Sequence, residues 1–148
     1  MDRLEFVNRW FNTDQFLSSG RAKLVAMDEE HAIVTMTIYP AILNIAGTVH
    51  GGALYTLADN VAGIAAAGDG RYYVTLNGGL NYLRSQREGQ IRAEATVMHR
   101  GSSTCMINVN IYGDNNKLLA TGDFNFFVAN KKNGSRAPSK EVNNGAQA

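Results

Sequence analysis

Cysteine is almost absent from this chain: Cys105 stands alone among 148 residues. One thiol excludes an intramolecular disulfide and any zinc cluster built on several cysteines, and it suits a reducing, cytoplasmic compartment. Charge imbalance is lacking too. Fourteen Lys and Arg face thirteen Asp and Glu, a net charge of +1, with no basic cluster in the part of the chain that can fold. A nucleic-acid partner is therefore not expected, because phosphate binding needs concentrated positive charge. Long apolar runs are missing as well, so neither a membrane span nor a signal peptide is expected, and Asp2, Arg3 and Glu5 already occupy the N-terminus. Proline is scarce, with Pro40 and Pro138 the two in the chain, and neither falls between Gly51 and Ala67.

That proline-free stretch organises the rest. From about Gly51 to Ala67 it is rich in Ala and Leu and carries one charge, Asp59, so it reads as a helix of roughly 25 Å at 1.5 Å per residue, ended by Gly68 to Gly70. At 100° per residue Leu54, Leu57, Ala58, Val61, Ile64 and Ala65 share one stripe, which should face a core. The opposite side holds Asp59 among Tyr55, Thr56, Ala62, Gly63 and Ala66, without Lys, Glu or Arg. Such a helix is expected to be covered on both sides. A single carboxylate there is costly to desolvate, which makes Asp59 the first functional candidate.

The helix is entered through His50-Gly51-Gly52, with no Ser, Thr, Asp or Asn at the cap position. Its first amides are left free, carry partial positive charge, and lie beside glycines that let a ligand approach the backbone. Taken singly, a Gly-Gly pair is usually a turn, a lone His usually packs or is solvated, and a lone Asp often caps something. Their combination is what points to a site.

The remaining chain reads as sheet. Residues 2 to 18, with Leu4, Val7, Trp10, Phe11 and Phe16 at helical spacing, form an amphipathic helix broken by Ser18-Ser19-Gly20. Strands are expected over 22 to 27 and 32 to 39, joined at Asp28-Glu29-Glu30 and stopped by Pro40. Four more follow over 72 to 84, 90 to 99, 104 to 112 and 117 to 128. The clearest alternates Cys105, Ile107, Val109 and Ile111 with Met106, Asn108, Asn110 and Tyr112. Short links favour antiparallel neighbours, so the expected architecture is α+β: one helix, a four-stranded meander and a completing hairpin. Residues 1 to 130 form one domain on this reading. The tail from 131 to 148, polar and nearly free of apolar side chains, is expected to be disordered.

The run Asn44, Gly47-Thr48-Val49-His50-Gly51-Gly52 and Leu57-Ala58-Asp59-Asn60 resembles the signature of the hotdog-fold acyl-CoA thioesterases of the phenylacetate-degradation (PaaI-like) type. Asn44 lies six residues before His50 and Asp59 nine after it, and the likeness extends over roughly residues 20 to 130. The resemblance implies a sheet wrapped around one long helix and hydrolysis of acyl-CoA thioesters. The Gly51 amide then polarises the thioester carbonyl, and Asp59 acts as general base or as nucleophile. Thr75 helps to hold the water, and Asn44 and His50 support the carbonyl end. It further implies a site shared between two subunits, hence a homodimer, often paired into a homotetramer. The helix spacing agrees, since Asp59 lies roughly 12 Å in axial rise from Gly51 on its own chain. Coenzyme A belongs to the substrate, and no metal or other cofactor is implied.

Substrate-binding candidates are Gly52, Tyr55, Arg84, and Arg100 with Gly101 and Ser102. Arg suits phosphate by charge and geometry, yet a solvated strand end explains either arginine equally well. Arg71, Arg87 and Arg92 read as surface charges. Tyr55 either closes an acyl channel or packs, and Gly78-Gly79 marks either a bulge or a close ligand approach. Two further readings stay open. A non-catalytic acyl-CoA binder has no need of a desolvated Asp59, and a hotdog hydratase or dehydratase has a different His-to-carboxylate spacing.

Overall fold

The computed structural model describes residues 3–18 and 21–129. The expected helix break at Ser18-Ser19-Gly20 falls partly outside these residues, and the expected disordered tail, 131–148, lies wholly outside them. Two helices, α1 (Arg3–Thr13) and α2 (Gln15–Ser18), replace the single one expected over 2 to 18. Asp14 causes the division: its Oδ1 accepts the Leu17 N–H at 3.0 Å, a cap that restarts the helix. Strands β1 (Ala22–Met27) and β2 (His31–Thr37) form a hairpin. Its turn is held by Asp28 Oδ1, which accepts the N–H groups of Glu30 and His31, each at 2.8 Å.

A single turn of 3-10 helix, Pro40–Ile42, follows β2 and leads through the Asn44 loop to α3 (Gly51–Ala66). Another 3-10 turn, Ala67–Asp69, extends α3 until Gly70 ends it at a φ of +85°, a conformation that costs glycine nothing. Next come β3 (Tyr73–Tyr82), β4 (Gln90–Arg100), β5 (Thr104–Tyr112) and β6 (Leu118–Val128). All pair antiparallel in the order β1-β2-β4-β5-β6-β3.

The expected four-stranded meander is thus three strands long. β3 is not a neighbour of β4; it pairs with β6 at the far edge. The reason lies in the β3–β4 link, which does not turn tightly. Leu83 N–H bonds Leu119 O at 2.7 Å, Gln86 O accepts Val49 N–H at 3.0 Å, and Gly89 O accepts Ile38 N–H at 2.9 Å. The link therefore crosses the end of the sheet from β6 to β2, passing the loop that precedes α3.

One face of the sheet packs on α3. The stripe read from the sequence, Leu54, Leu57, Ala58, Val61, Ile64 and Ala65, is buried throughout, as are Cys105, Ile107, Val109 and Ile111 of β5. Fully burying a side chain such as Leu57 or Ile64 stabilises by about 1.5–3 kcal/mol. Double coverage of the helix holds for its second half, where Val61 to Ala66 are all buried and Phe11 and Leu17 approach Asn60 and Ile64. It does not hold for the first half of the single chain. There Tyr55, Thr56, Asp59 and Asn60 are half-buried and Gly52 is exposed.

Candidate functional site

Helix α3 meets β3 through three hydroxyl contacts spaced one helical turn apart. Tyr82 Oη donates to Gly51 O at 2.8 Å, Tyr55 Oη donates to Gly78 O at 3.2 Å, and Thr75 Oγ1 donates to Asp59 Oδ1 at 2.8 Å. Residues 51, 55 and 59 share a helix face because they are four apart. On β3 a strict alternation would place Thr75 and Tyr82 on opposite faces. The pairing with β6 slips between Thr75 and Asn77, and this bulge reverses the parity. Thr75 and Gly78 consequently stand opposite the buried Phe126 and Phe124, on the helix side.

Asp59 and Thr75, both candidates from the sequence, are brought together by the 2.8 Å bond between them. Gly51 and Asp59 reach β3 at different places, Tyr82 and Thr75. Tyr55 packs: its ring lies 5.2 Å from that of Phe124, and its hydroxyl caps Gly78. The Gly78 position is filled rather than open, since a Cβ there would overlap the Phe124 ring and lie 2.9 Å from Tyr55 Oη. The bulge sits before the glycine pair, not at it.

At the N-terminal end of α3, His50 makes no side-chain cap; its ring is exposed. Ala53 and Leu54 N–H bond to His50 O at 3.0 and 3.1 Å, which leaves the Gly51 and Gly52 amides at the open start of the helix. Asn44 shapes the loop before it. Its Oδ1 accepts Ala46 N–H at 3.0 Å and Thr48 N–H at 3.1 Å, and its Nδ2 donates to Thr48 Oγ1 at 2.9 Å. Asn44, Gly51, Leu54, Tyr82 and Arg84 line a common cleft of about 320 Å³ with Thr48, Val49, Gln86 and Leu119. Arg84 Nη1 donates to Leu118 O at 3.1 Å, and the residue is otherwise exposed there. Arg87, read as a surface charge, donates to Ala46 O at 3.0 Å and so braces the same loop.

Arg100, Gly101 and Ser102 lie elsewhere. Arg100 caps the opposite end of α3: Nη1 donates to Ala66 O at 2.6 Å and to Tyr73 Oη at 3.1 Å, and Nη2 donates to Glu29 O at 2.7 Å and Ala65 O at 3.3 Å. It also pairs with Asp69 at 3.1 Å. The Gly101 and Ser102 carbonyls accept from Arg71, each at 3.1 Å, and Arg71 Nε binds Asp69 at 2.6 Å. Arg71 is thus a fastener rather than a free surface charge. Burial pushes the Asp69 carboxyl up, but bonds from Arg71 and Tyr73 and the charge of Arg100 outweigh it and hold the group below the usual carboxylate value. Burial and the Asp69 bond push the Tyr73 phenol up to about 12.

The sequence reading missed Tyr82 and this four-residue knot. Counting alternately from Thr75 sends Tyr82 to the outer face, and only the bulge returns it. Asp69, Arg71, Tyr73 and Arg100 come from two segments joined by tertiary pairing. Among the described residues, no group of three or more His, Cys, Asp or Glu is placed to hold a metal, and no helix is long and apolar enough to cross a membrane.

Comparison with known proteins places the chain among relatives. Residues 46–120 match the family model described as the thioesterase superfamily. The chain is similar to the acyl-coenzyme A thioesterase PaaI of Escherichia coli, 33% identical over 98 residues, covering 66% of this chain and 70% of that protein. The solved structure of E. coli PaaI superposes with a TM-score of 0.82 at 26% identity, covering 86% of this chain and 94% of that one. A hypothetical thioesterase protein of Streptococcus pneumoniae, solved with coenzyme A, superposes with a TM-score of 0.70 at 29% identity, covering 72% and 84%. That protein has also been solved with an aspartate and, separately, a threonine replaced by alanine.

Proposed function

Because the chain belongs to the thioesterase superfamily, a family of hotdog-fold proteins, we propose that it hydrolyses acyl-CoA thioesters, with Asp59 as the reacting carboxylate and the Gly51 amide as oxyanion donor. The observation that carries this reading is the Thr75–Asp59 hydrogen bond of 2.8 Å on the same helix that begins with uncapped glycine amides. A half-buried carboxylate held by a hydroxyl is poised to take a proton from water, and Thr75 Oγ1 then helps to orient that water. Water oxygen bonds to the thioester carbon, and charge developing on the carbonyl oxygen is met by the Gly51 N–H, backed by the helix N-terminus. Collapse breaks the C–S bond and releases the CoA thiol and the acid. Direct attack by Asp59, through an anhydride that water then opens, uses the same groups. The likeness to proteins described as an acyl-CoA thioesterase and as a thioesterase with coenzyme A supports the substrate class.

The productive site is shared between two copies of the chain on this reading. Gly51 of one subunit and Asp59 of the other then grip one carbonyl, which their separation within one chain does not allow. The β3 edge supports the pairing. It is ten residues long and uncharged from Tyr73 to Tyr82, with Val74 and Leu76 41% and 56% exposed, a template for a second strand. Arg84, at the mouth of the cleft, is the candidate for a CoA phosphate, with Asn44 and His50 supporting the carbonyl end.

Thiol release from short, long and aromatic acyl-CoAs tests the reading. Wild type is expected to turn over at least one class, and Asp59→Asn to lose on the order of 10²- to 10⁴-fold in kcat, the usual range for a general base. Near wild-type rates in the variant would remove Asp59 from the chemistry. Binding of acyl-CoA without any thiol release would make the protein a binder.

A further inference from the structure

By composition, the first turn of α3 is its loosest part. Gly51 and Gly52 have no side chain to pack and lose more conformational freedom on ordering than any other residue type, and His50 gives them no side-chain cap. An oxyanion donor, however, contributes by being aimed before the reaction begins. Two hydroxyls hold this turn. Thr56 Oγ1 donates to Gly52 O at 2.9 Å from within the helix. Tyr82 Oη donates to Gly51 O at 2.8 Å from β3, and the Tyr82 ring lies 3.1 Å from the point that a Cβ on Gly51 would occupy. Tyr82 thus ties the glycine of this turn to the sheet by a side-chain hydrogen bond.

We infer that Tyr82 is a positioning residue for the thioester carbonyl: its ring and hydroxyl pin residue 51 against β3 and keep the Gly51 N–H aimed into the cleft. The inference rests on the reading of Gly51 as oxyanion donor given above. It also accounts for the fit of a glycine at residue 51, where a Cβ would stand 3.1 Å from the Tyr82 ring, closer than ordinary contact. Any side chain there meets the ring that does the pinning. Tyr82 is 50% exposed and lines the cleft instead of filling the core, so removing its hydroxyl leaves the packing of α3 on the sheet intact.

A cleft wall and a pin leave different kinetic marks. A wall that touches bound substrate equally before and during reaction alters KM, whereas a pin that aims an amide at charge present only in the transition state alters kcat. The experiment is thiol release by wild type, Tyr82→Phe and Tyr82→Leu on the acyl-CoA that wild type turns over best, with the thermal midpoint of each. Tyr82→Phe keeps the ring and is expected to lower kcat roughly three- to tenfold, part of the 10²- to 10³-fold lost when such a donor is removed outright. Its KM is expected to stay within about twofold, and its midpoint close to that of wild type. Tyr82→Leu, which loses the ring as well, is expected to lower kcat further. An unchanged kcat in Tyr82→Phe, or a rise in KM alone in either variant, overturns the pin and leaves the thioesterase reading standing. Wild type that releases no thiol from any acyl-CoA overturns both.

Discussion

At its C-terminal end α3 delivers the Ala65 and Ala66 carbonyls to one guanidinium, that of Arg100, which is itself held by Asp69 and Tyr73. At its N-terminal end the same helix begins with two glycines and no side-chain cap, and the Tyr82 hydroxyl that reaches it from β3 goes to a carbonyl and leaves the amides open. Both ends face the same problem of main-chain groups without helical partners. One end solves it with protein groups and becomes structure. The other leaves its donors open, at a cost in local order that Tyr82 and Thr56 limit, and on the reading proposed above they serve the substrate. A charged, well-bonded cluster is therefore not where the chemistry is sought in this fold. The poorly satisfied end, beside a single half-buried carboxylate, is.

The sharpest way to break that contrast is Arg100→Met. Four hydrogen bonds and an ion pair disappear from a side chain 20% exposed, so a stability loss of about 2–4 kcal/mol is expected in denaturant unfolding. A raised KM for acyl-CoA with stability intact would instead assign Arg100 to coenzyme A, and the two ends of α3 would no longer differ in kind. Thr75→Ala removes the hydroxyl that bonds Asp59, proposed above to orient water, but neither the carboxylate nor the amide. It should cost about tenfold in kcat, equal to about 1.4 kcal/mol, less than the loss of the base itself. A larger stability loss than activity loss would move Thr75 to the structural side.

The smallest effect is in pH. Asp69 titrates below its ordinary value of 3.8 in the folded chain. A carboxyl so lowered stabilises the fold at pH values above 3.8, and that contribution is lost as pH falls through and below this value toward the folded pKa. Thermal midpoints measured from pH 6 down to 3 should therefore fall less steeply in Asp69→Asn than in wild type. Identical slopes would show that the knot adds nothing through the charge on Asp69.

Much of the site was legible because it is local. Gly51, Asp59 and the stripe from Leu54 to Ala65 lie on one helix, whose 3.6-residue period fixes their relative placement. Asn44 through Gly52 form one continuous loop. The β5 alternation was readable for the same reason. What escaped depended on events elsewhere in the chain: the slip between Thr75 and Asn77 that turns Tyr82 inward, and the pairing of β3 with β6 instead of β4. Arg71 looked like a surface charge and Arg100 like a phosphate ligand because the carbonyls they bind, of Gly101 and Ser102 and of Glu29, Ala65 and Ala66, are distant in sequence.

By itself the sequence determined that a long apolar helix with one carboxylate would be wrapped by antiparallel strands, since spacing along a helix and alternation along a strand follow from backbone geometry alone. The tertiary structure decided which strand lies against the face of α3 that carries Asp59, which end of α3 is sealed and which is left open. Those outcomes depend on register and on partners many residues away, and a slip of one residue is enough to turn a side chain from solvent to site.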